Sequence, residues 1–189
     1  YNGSEQFPQG NRFGFFPAYS VGWVITEEPF FPKNDVFTFA KIRGSYGEVG
    51  NDKTGGDRFL YLPSVYTYEY AANHGYWLGT TGVDLNWYYG ALEGQIGNPN
   101  VTWERAKKTD IGIELRMFKN RFSLSADVFK ELRDNILWTR GTVSDYVAAK
   151  LPKVNLGVVE NKGFELDMGW NSNEGDFNYW LKGNMAFAK

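Results

Sequence analysis

The chain has 189 residues, with 20 basic and 22 acidic side chains, a net charge of −2 and no cysteine. That length fits one domain or a piece of a larger one. The charge leaves no basic footprint for nucleic acid, and the missing thiols exclude a disulfide framework and a zinc–thiolate site.

Aromatic residues make up 18% of the chain and glycines number 22, under a polar mean hydropathy. Aromatics favour strands, and glycine favours turns and loops. A soluble sandwich has this composition. So does an outer-membrane barrel, whose apolar residues are diluted by a polar lumen and polar loops. The sequence begins at Tyr1 with no basic segment leading into an apolar run, so no export signal is visible. The longest apolar runs, such as Val21–Ile25, are far too short for a helix that crosses a bilayer.

Strict alternation of apolar and polar residues, the period of a strand, marks six segments. Over 12–25, Phe13, Phe15, Tyr19, Val21, Trp23 and Ile25 share one parity. Over 36–49 the pattern is weaker, with Lys41, Arg43 and Ser45 opposing Ala40, Ile42 and Tyr46. Over 109–118, Ile111, Ile113, Leu115 and Met117 face away from Asp110, Gly112, Glu114 and Arg116. Over 121–136, Phe122, Leu124, Ala126 and Val128 oppose Ser123, Ser125, Asp127 and Phe129. The segment 163–171 sets Phe164, Leu166, Met168 and Trp170 against Glu165, Asp167 and Gly169. The last, 177–187, sets Phe177, Tyr179, Leu181, Met185 and Phe187 against Asn178, Lys182 and Asn184.

The connections alternate in length. Lys119–Arg121 reads as a tight turn and Asn171–Asp176 as a short polar one; Thr26–Asp35 is longer and holds two prolines that stop pairing. Two long loops, from about residue 50 to 108 and from about 137 to 162, are rich in glycine and aromatics. Loops of that length are usually functional. Short turns on one side and long loops on the other are the layout of a transmembrane barrel, and ten tilted residues at about 3.3 Å each cross its apolar band of roughly 25 Å. A soluble antiparallel sheet with its apolar face on a core also alternates. Aromatics at the strand ends, and opposite faces rich in Gly, Ser and Asn, favour the membrane.

Four stretches resemble one family. They are NRFGFFPAYSVGWVITEEPFF (11–31), KIRGSYGEVGND (41–52), GNPNVTWERAKKTDIGIELRMFKNRFSLSADVFKELRDNIL (97–137) and LPKVNLGVVENKGFELDMGW (151–170). In this order they are similar to successive strands of SusC/RagA-type TonB-dependent outer-membrane transporters. The part from Thr54 to Leu92 carries no such match. The resemblance implies an all-β fold of antiparallel up-and-down strands in a barrel of roughly 22. Of these, residues 1–189 would supply about six, with long extracellular loops. It also implies a plug domain inside the barrel, which is not among these residues, and coupling to TonB through that plug. A SusD-like surface lipoprotein would act as partner and lid, outer-membrane lipid would surround the wall, and an oligosaccharide or peptide would be the cargo. No cofactor is implied.

Catalytic patterns are scarce. The one histidine, His74, lacks an obvious partner for general-base work, and no zinc-hydrolase spacing exists. Asp110 with Glu114 tempts a glycosidase reading, which needs two carboxylates across a cleft; two residues on one strand face more simply line a wet surface. The glycosylation sequons at Asn2 and Asn100 are accidental in a bacterial protein. Recognition falls to the first long loop. Tyr66, Tyr68, Tyr70, Trp77, Trp87, Tyr88 and Tyr89 are its candidate substrate-binding residues, in a loop that Tyr61 and Tyr76 also crowd. Flat rings with polar tips suit sugar rings or peptide side chains; packing of the loop on itself or against a lid uses the same residues. The second loop candidate is 138–150. Lys41, Arg43, Asp110, Glu114, Arg116, Asp127, Glu165, Asp167 and Lys182 are expected to face the lumen or plug. The competing function is a soluble all-β carbohydrate-binding module; a glycoside hydrolase fragment is the remoter one.

Overall fold

The computed structural model describes residues 1–63, 66–68, 75–79, 86–141, 151–172 and 177–189. Its elements are strands β1 (Asn2–Gly3), β2 (Phe13–Gly14), β3 (Ala18–Val24), β4 (Phe37–Asn51), β5 (Tyr66–Tyr68), β6 (Gly75–Leu78), β7 (Asn86–Tyr89), β8 (Ala91–Glu93), β9 (Glu104–Met117), β10 (Phe122–Trp138), β11 (Val154–Ser172) and β12 (Tyr179–Ala188), with one 3-10 turn at Ile25–Glu27. No described helix is long and apolar enough to cross a membrane, which says nothing of strands.

Six strands form one sheet in the order β12-β11-β10-β9-β4-β3. Spatial neighbours are neighbours in sequence, apart from the insertion carrying β5 to β8 between β4 and β9. This is the up-and-down meander expected. The pairs are antiparallel: Ile111 lies opposite Val128, Trp23 opposite Ile42, and Leu166 opposite Met185. The first expected strand, 12–25, is two pieces. Phe13–Gly14 pairs with Asn2–Gly3, and Ala18–Val24 joins the sheet. Pro17, which has no N–H to donate, sits between them and accepts from the Glu48 N–H at 2.8 Å.

The tight turn from β9 to β10 places Phe118, Lys119 and Asn120 at φ of 54°, 57° and 67°. Asparagine tolerates this left-handed region best of the three. The turn is closed by the Arg121 N–H donating to the Phe118 carbonyl at 3.2 Å. At the same end of the sheet, the Asn34 side chain accepts from the N–H groups of Val36 and Phe37 at 3.0 and 2.7 Å and launches β4.

Strand pairing runs further than alternation indicated. β9 starts at Glu104 and β11 at Val154, inside the regions read as loops to about 108 and 162. For β11 the reason lies in Val158 and Val159, adjacent in sequence and both exposed. Where neither face of a strand is buried, pairing continues but no alternation is needed.

The chain divides into two compact units. One comprises residues 15–50, 105–134 and 158–189 and holds most of the sheet; its buried apolar side chains, among those described, are only Ala40 and Ala106. The other comprises residues 1–14, 51–104 and 135–157. It has a small closed core of Phe7, Leu60, Val101 and Trp103, where the Phe7 and Trp103 rings lie 5.0 Å apart.

Candidate functional site

Register sorts the side chains of the sheet onto two faces. All nine residues expected to face a lumen share one of them. Arg43 is its hub: it meets Asp127 at 2.6 Å, Glu114 at 3.3 Å and Asp110 at 4.0 Å, while Lys41 lies 3.8 Å from Glu114. Arg116 stacks over Phe39 at 5.3 Å. Asp127 pairs in register with Gly112. A Cβ added at Gly112 would strike the Asp127 carboxylate and come within 2.9 Å of Arg43 Nε, so glycine is what lets Arg43 and Asp127 meet. Gly169 shelters Ser123 in the same way. That contact fixes β11 on the same face, with Asp167 opposite Asn184 and Glu165 opposite Ala186. A concavity of about 520 Å³ is lined there by Glu114, Arg116, Ser123, Asp167, Lys182 and Asn184. Nearer the long loops, Glu131 bridges Lys108 at 3.4 Å and Arg133 at 2.8 Å.

The opposite face is apolar and uncovered. Ile111 is 61% exposed, Val128 64% and Leu181 70%, and Tyr19, Val21, Ile42, Phe164, Met185 and Phe187 are exposed with them. Aromatics lie at both ends of the band. Tyr19 and Tyr46 pair near the long loops. Trp23 lies toward the short turns, its Nε1–H donating to Glu28 at 2.8 Å, and the Trp170 ring sits 6.3 Å from that of Phe118.

In the second unit, β6 and β7 form an aromatic ribbon. Trp77 pairs with Trp87 and Tyr76 with Tyr88, so the tryptophans share one face and the tyrosines the other. The indoles meet edge-on at 5.3 Å. Trp87 lies across Gly75, where a Cβ would come within 2.7 Å of its ring. Tyr76, at 77% exposed, and Trp77, at 60%, are open to solvent, as are Tyr88 and Tyr89. Of the other expected contact residues, Tyr66 and Tyr68 belong to β5, which pairs with β8; their side chains, all of Tyr70, His74 and residues 142–150 lie outside the described parts.

Sequence reasoning missed what fastens this unit. Asn98 is buried, accepts from the Asn100 N–H at 3.0 Å and donates to the Lys153 carbonyl at 2.9 Å. Asn155 accepts from the Thr102 N–H at 3.1 Å and donates to the carbonyls of Thr102 and Asn135 at 2.9 and 2.7 Å. Trp103 Nε1–H donates to the Asn11 carbonyl at 3.0 Å, and Lys153 pairs with Asp57 at 2.8 Å. The Asn-Pro-Asn run at 98–100 carried the signal, because Asn side chains mimic backbone turns. A cavity of about 410 Å³ bounded by Lys53, Glu104, Trp138 and Lys153 belongs to the same unit. Among the described residues, no group of three or more His, Cys, Asp or Glu could hold a metal ion.

Known proteins resemble the chain over nearly all of its length. It is 29% identical over 168 residues to TonB-dependent receptor P3 of Formosa agariphila, covering 88% of the chain and 15% of that protein. It is 30% identical over 170 residues to TonB-dependent receptor SusC of Bacteroides thetaiotaomicron, covering 89% and 16%. The chain thus spans about a sixth of the curated relatives it matches. Among solved structures, the RagAB peptide importer in its closed-closed state superposes with a TM-score of 0.74 at 18% identity, over 98% of this chain and 19% of that one; the open-open state gives the same score. These last show a shared fold. The family model described as "TonB dependent receptor-like, beta-barrel" matches residues 1–188, and the chain belongs to that family.

Proposed function

We propose that these residues form a stretch of wall in an outer-membrane transporter driven through TonB. The six-stranded sheet crosses the membrane, and the segments between β4 and β9 and between β10 and β11 lie on the external side. One observation carries the reading: a single sheet turns an uncovered apolar face one way and an ion-paired face the other. A soluble carbohydrate-binding module would bury that apolar face against a second layer. Large uncovered apolar patches mark protein or membrane contacts, and a row of Ile, Val, Leu and Phe bordered by aromatics suits lipid.

The charged face, from Lys41 and Arg43 to Asp167 and Lys182, then borders the lumen and the plug through which TonB acts. The cargo is an oligosaccharide or a peptide. Peptides gain support from the likeness to the RagAB peptide importer, and sugars from the aromatic ribbon, whose exposed rings suit pyranose faces. Trp77, Trp87, Tyr88 and Tyr89, with Tyr66, Tyr68 and Tyr70 of the same insertion, are its contact residues. A SusD-like surface lipoprotein closes over the loops. The protein binds and gates, and performs no covalent chemistry on its cargo.

The test uses the cysteine-free character of this segment. Single spin labels go at Ile111 and Val128 on one face, and at Ser123 and Ser125 on the other, in the full-length protein in bilayers. Oxygen dissolved in hydrocarbon is expected to relax the first pair and a water-soluble nickel reagent the second. Equal access of both reagents to both pairs would overturn the reading.

A further inference from the structure

The cavity of about 410 Å³ in the second unit joins residues far apart in sequence. Lys53 and Gly55 follow β4, Glu104 starts β9, Trp138 and Thr139 stand at the end of β10, and Lys153 precedes β11. All of them belong to one compact unit. The volume falls within the range of small-molecule sites, about 300–1,000 Å³. Trp138 also opens the second of the two candidate recognition loops, 138–150.

Lys153 is fixed at both ends. Its carbonyl accepts from the buried Asn98 side chain at 2.9 Å. Its ammonium donates to the Thr54 carbonyl at 3.3 Å and pairs with Asp57 at 2.8 Å. Gly55 makes room for this: its φ is 75°, and a Cβ there would come within 3.3 Å of Lys153 Nζ. An ammonium has three protons to donate, so one remains for the cavity. Lys53 lines the same cavity and makes no ion pair among the described residues. Trp138 is exposed, and its ring meets no other ring among those described. Glu104 completes the lining. A carboxylate accepts at about four lone-pair sites, so Glu104 can take a hydroxyl proton alongside any other partner.

We propose that this cavity is a subsite for an acidic sugar. The apolar face of a hexuronate ring lies on Trp138, its carboxylate meets Lys53 and Lys153, and its hydroxyls donate to Glu104. That the sugar is cargo rests on the transporter reading above. The combination of groups selects the ligand. Two ammonium groups favour an anion, and hydrogen bonds between charged groups are the strong ones. The indole offers a large flat area to an apolar face. Glu104 repels a second carboxylate and favours hydroxyl donors, which the C-terminus of an alanine peptide lacks.

The experiment uses the full-length protein in detergent, with methyl β-glucuronide, methyl β-glucoside and trialanine as probes and ligand-observed NMR as the readout. The glucuronide is expected to bind about tenfold tighter than the glucoside. Lys53→Gln should reduce that ratio to about twofold, and Lys53→Arg should preserve it, which separates a lost charge from a lost fold. Trp138→Ala should weaken both sugars about fivefold and keep the ratio. Equal affinity of the wild type for the two sugars overturns the proposal, as does a ratio that Lys53→Gln leaves intact. So does trialanine binding as tightly as the glucuronide with the same dependence on Lys53, which would assign the cavity to a peptide carboxylate. A spin label at Val128 is read in parallel in bilayers. Hydrocarbon contact there without a preference for the glucuronide sinks the subsite alone. A preference for the glucuronide without hydrocarbon contact keeps the subsite and sinks the membrane-wall reading.

Discussion

Gly112 and Asp127 show how much one missing carbon permits. The glycine leaves room for a carboxylate that is only 15% exposed and 2.6 Å from a guanidinium. Gly112→Val is expected to push Asp127 off Arg43 and to destabilise the full-length barrel by about 1–3 kcal/mol, the usual range for forced overpacking. Gly183 is the control: it lies in the same sheet with no heavy atom within 4 Å of an added Cβ, so Gly183→Ala should be neutral within about 0.5 kcal/mol. Unfolding midpoints in detergent check both, and equal losses at the two sites would refute the packing argument. Asp127→Asn keeps the shape and removes the charge. Arg43 retains Glu114 and Asp110, and the region is partly solvated. The cost is therefore about 1 kcal/mol, below that of a fully buried pair, and the same midpoints measure it.

Among the elements, the wall strands and the insertions follow different rules, and sequence exposes them unequally. The alternation from Ile111 to Met117 and from Phe122 to Val128 marks two strands and sorts their side chains as the register does, because an uncovered apolar face and an ion-paired face demand different residues at each step. At Val158–Lys162 neither face is buried, the demand vanishes, and alternation does not mark the strand. The aromatic ribbon is legible as a cluster of rings but not as paired strands, since composition alone does not name cross-strand partners such as Trp77 and Trp87. The fastening of the second unit was hidden for another reason: Asn98 and Asn155 act through backbone groups far along the chain, and no local pattern announces such partners. Asn98→Ala removes two side-chain hydrogen bonds from a buried site. The expected loss is about 1–3 kcal/mol of local stability. It should appear as faster hydrogen exchange at the Asn100 and Val101 amides, while those of Ile111 and Val128 stay protected, because proteins open in local cooperative units. Uniform acceleration across β9 and β10 would show that the two regions open together.

For the whole molecule the decisive quantity is surface. A folded monomer of 21.6 kDa exposes about 9,200 Å² by the usual scaling, whereas this chain exposes 14032 Å². The exposed apolar sheet face contributes to the excess, and two strand edges, β3 and β12, end the sheet. Both features disappear if lipid covers the face and further strands pair with the edges, as barrel closure requires. From Phe122 to Lys130 the β10 strand advances about 26 Å along its axis, or about 20 Å across a bilayer at a tilt near 40°; lysine stems and interfacial aromatics extend the compatible depth toward the 25 Å of an outer-membrane apolar band. A single lysine carried along the apolar face of the full-length protein should therefore trace a depth profile. At Ala126, near the midpoint, the expected cost is about 2–4 kcal/mol; at Phe122 it falls to about 0–1 kcal/mol. At position 130 the native residue is already lysine. The same substitution at Ser123 or Ser125, on the charged face, should give no dependence on depth. Equilibrium unfolding from lipid vesicles measures both series. A flat profile on the apolar face would mean that something other than hydrocarbon covers it, and a matching pair of profiles would mean that the sheet does not separate lipid from water.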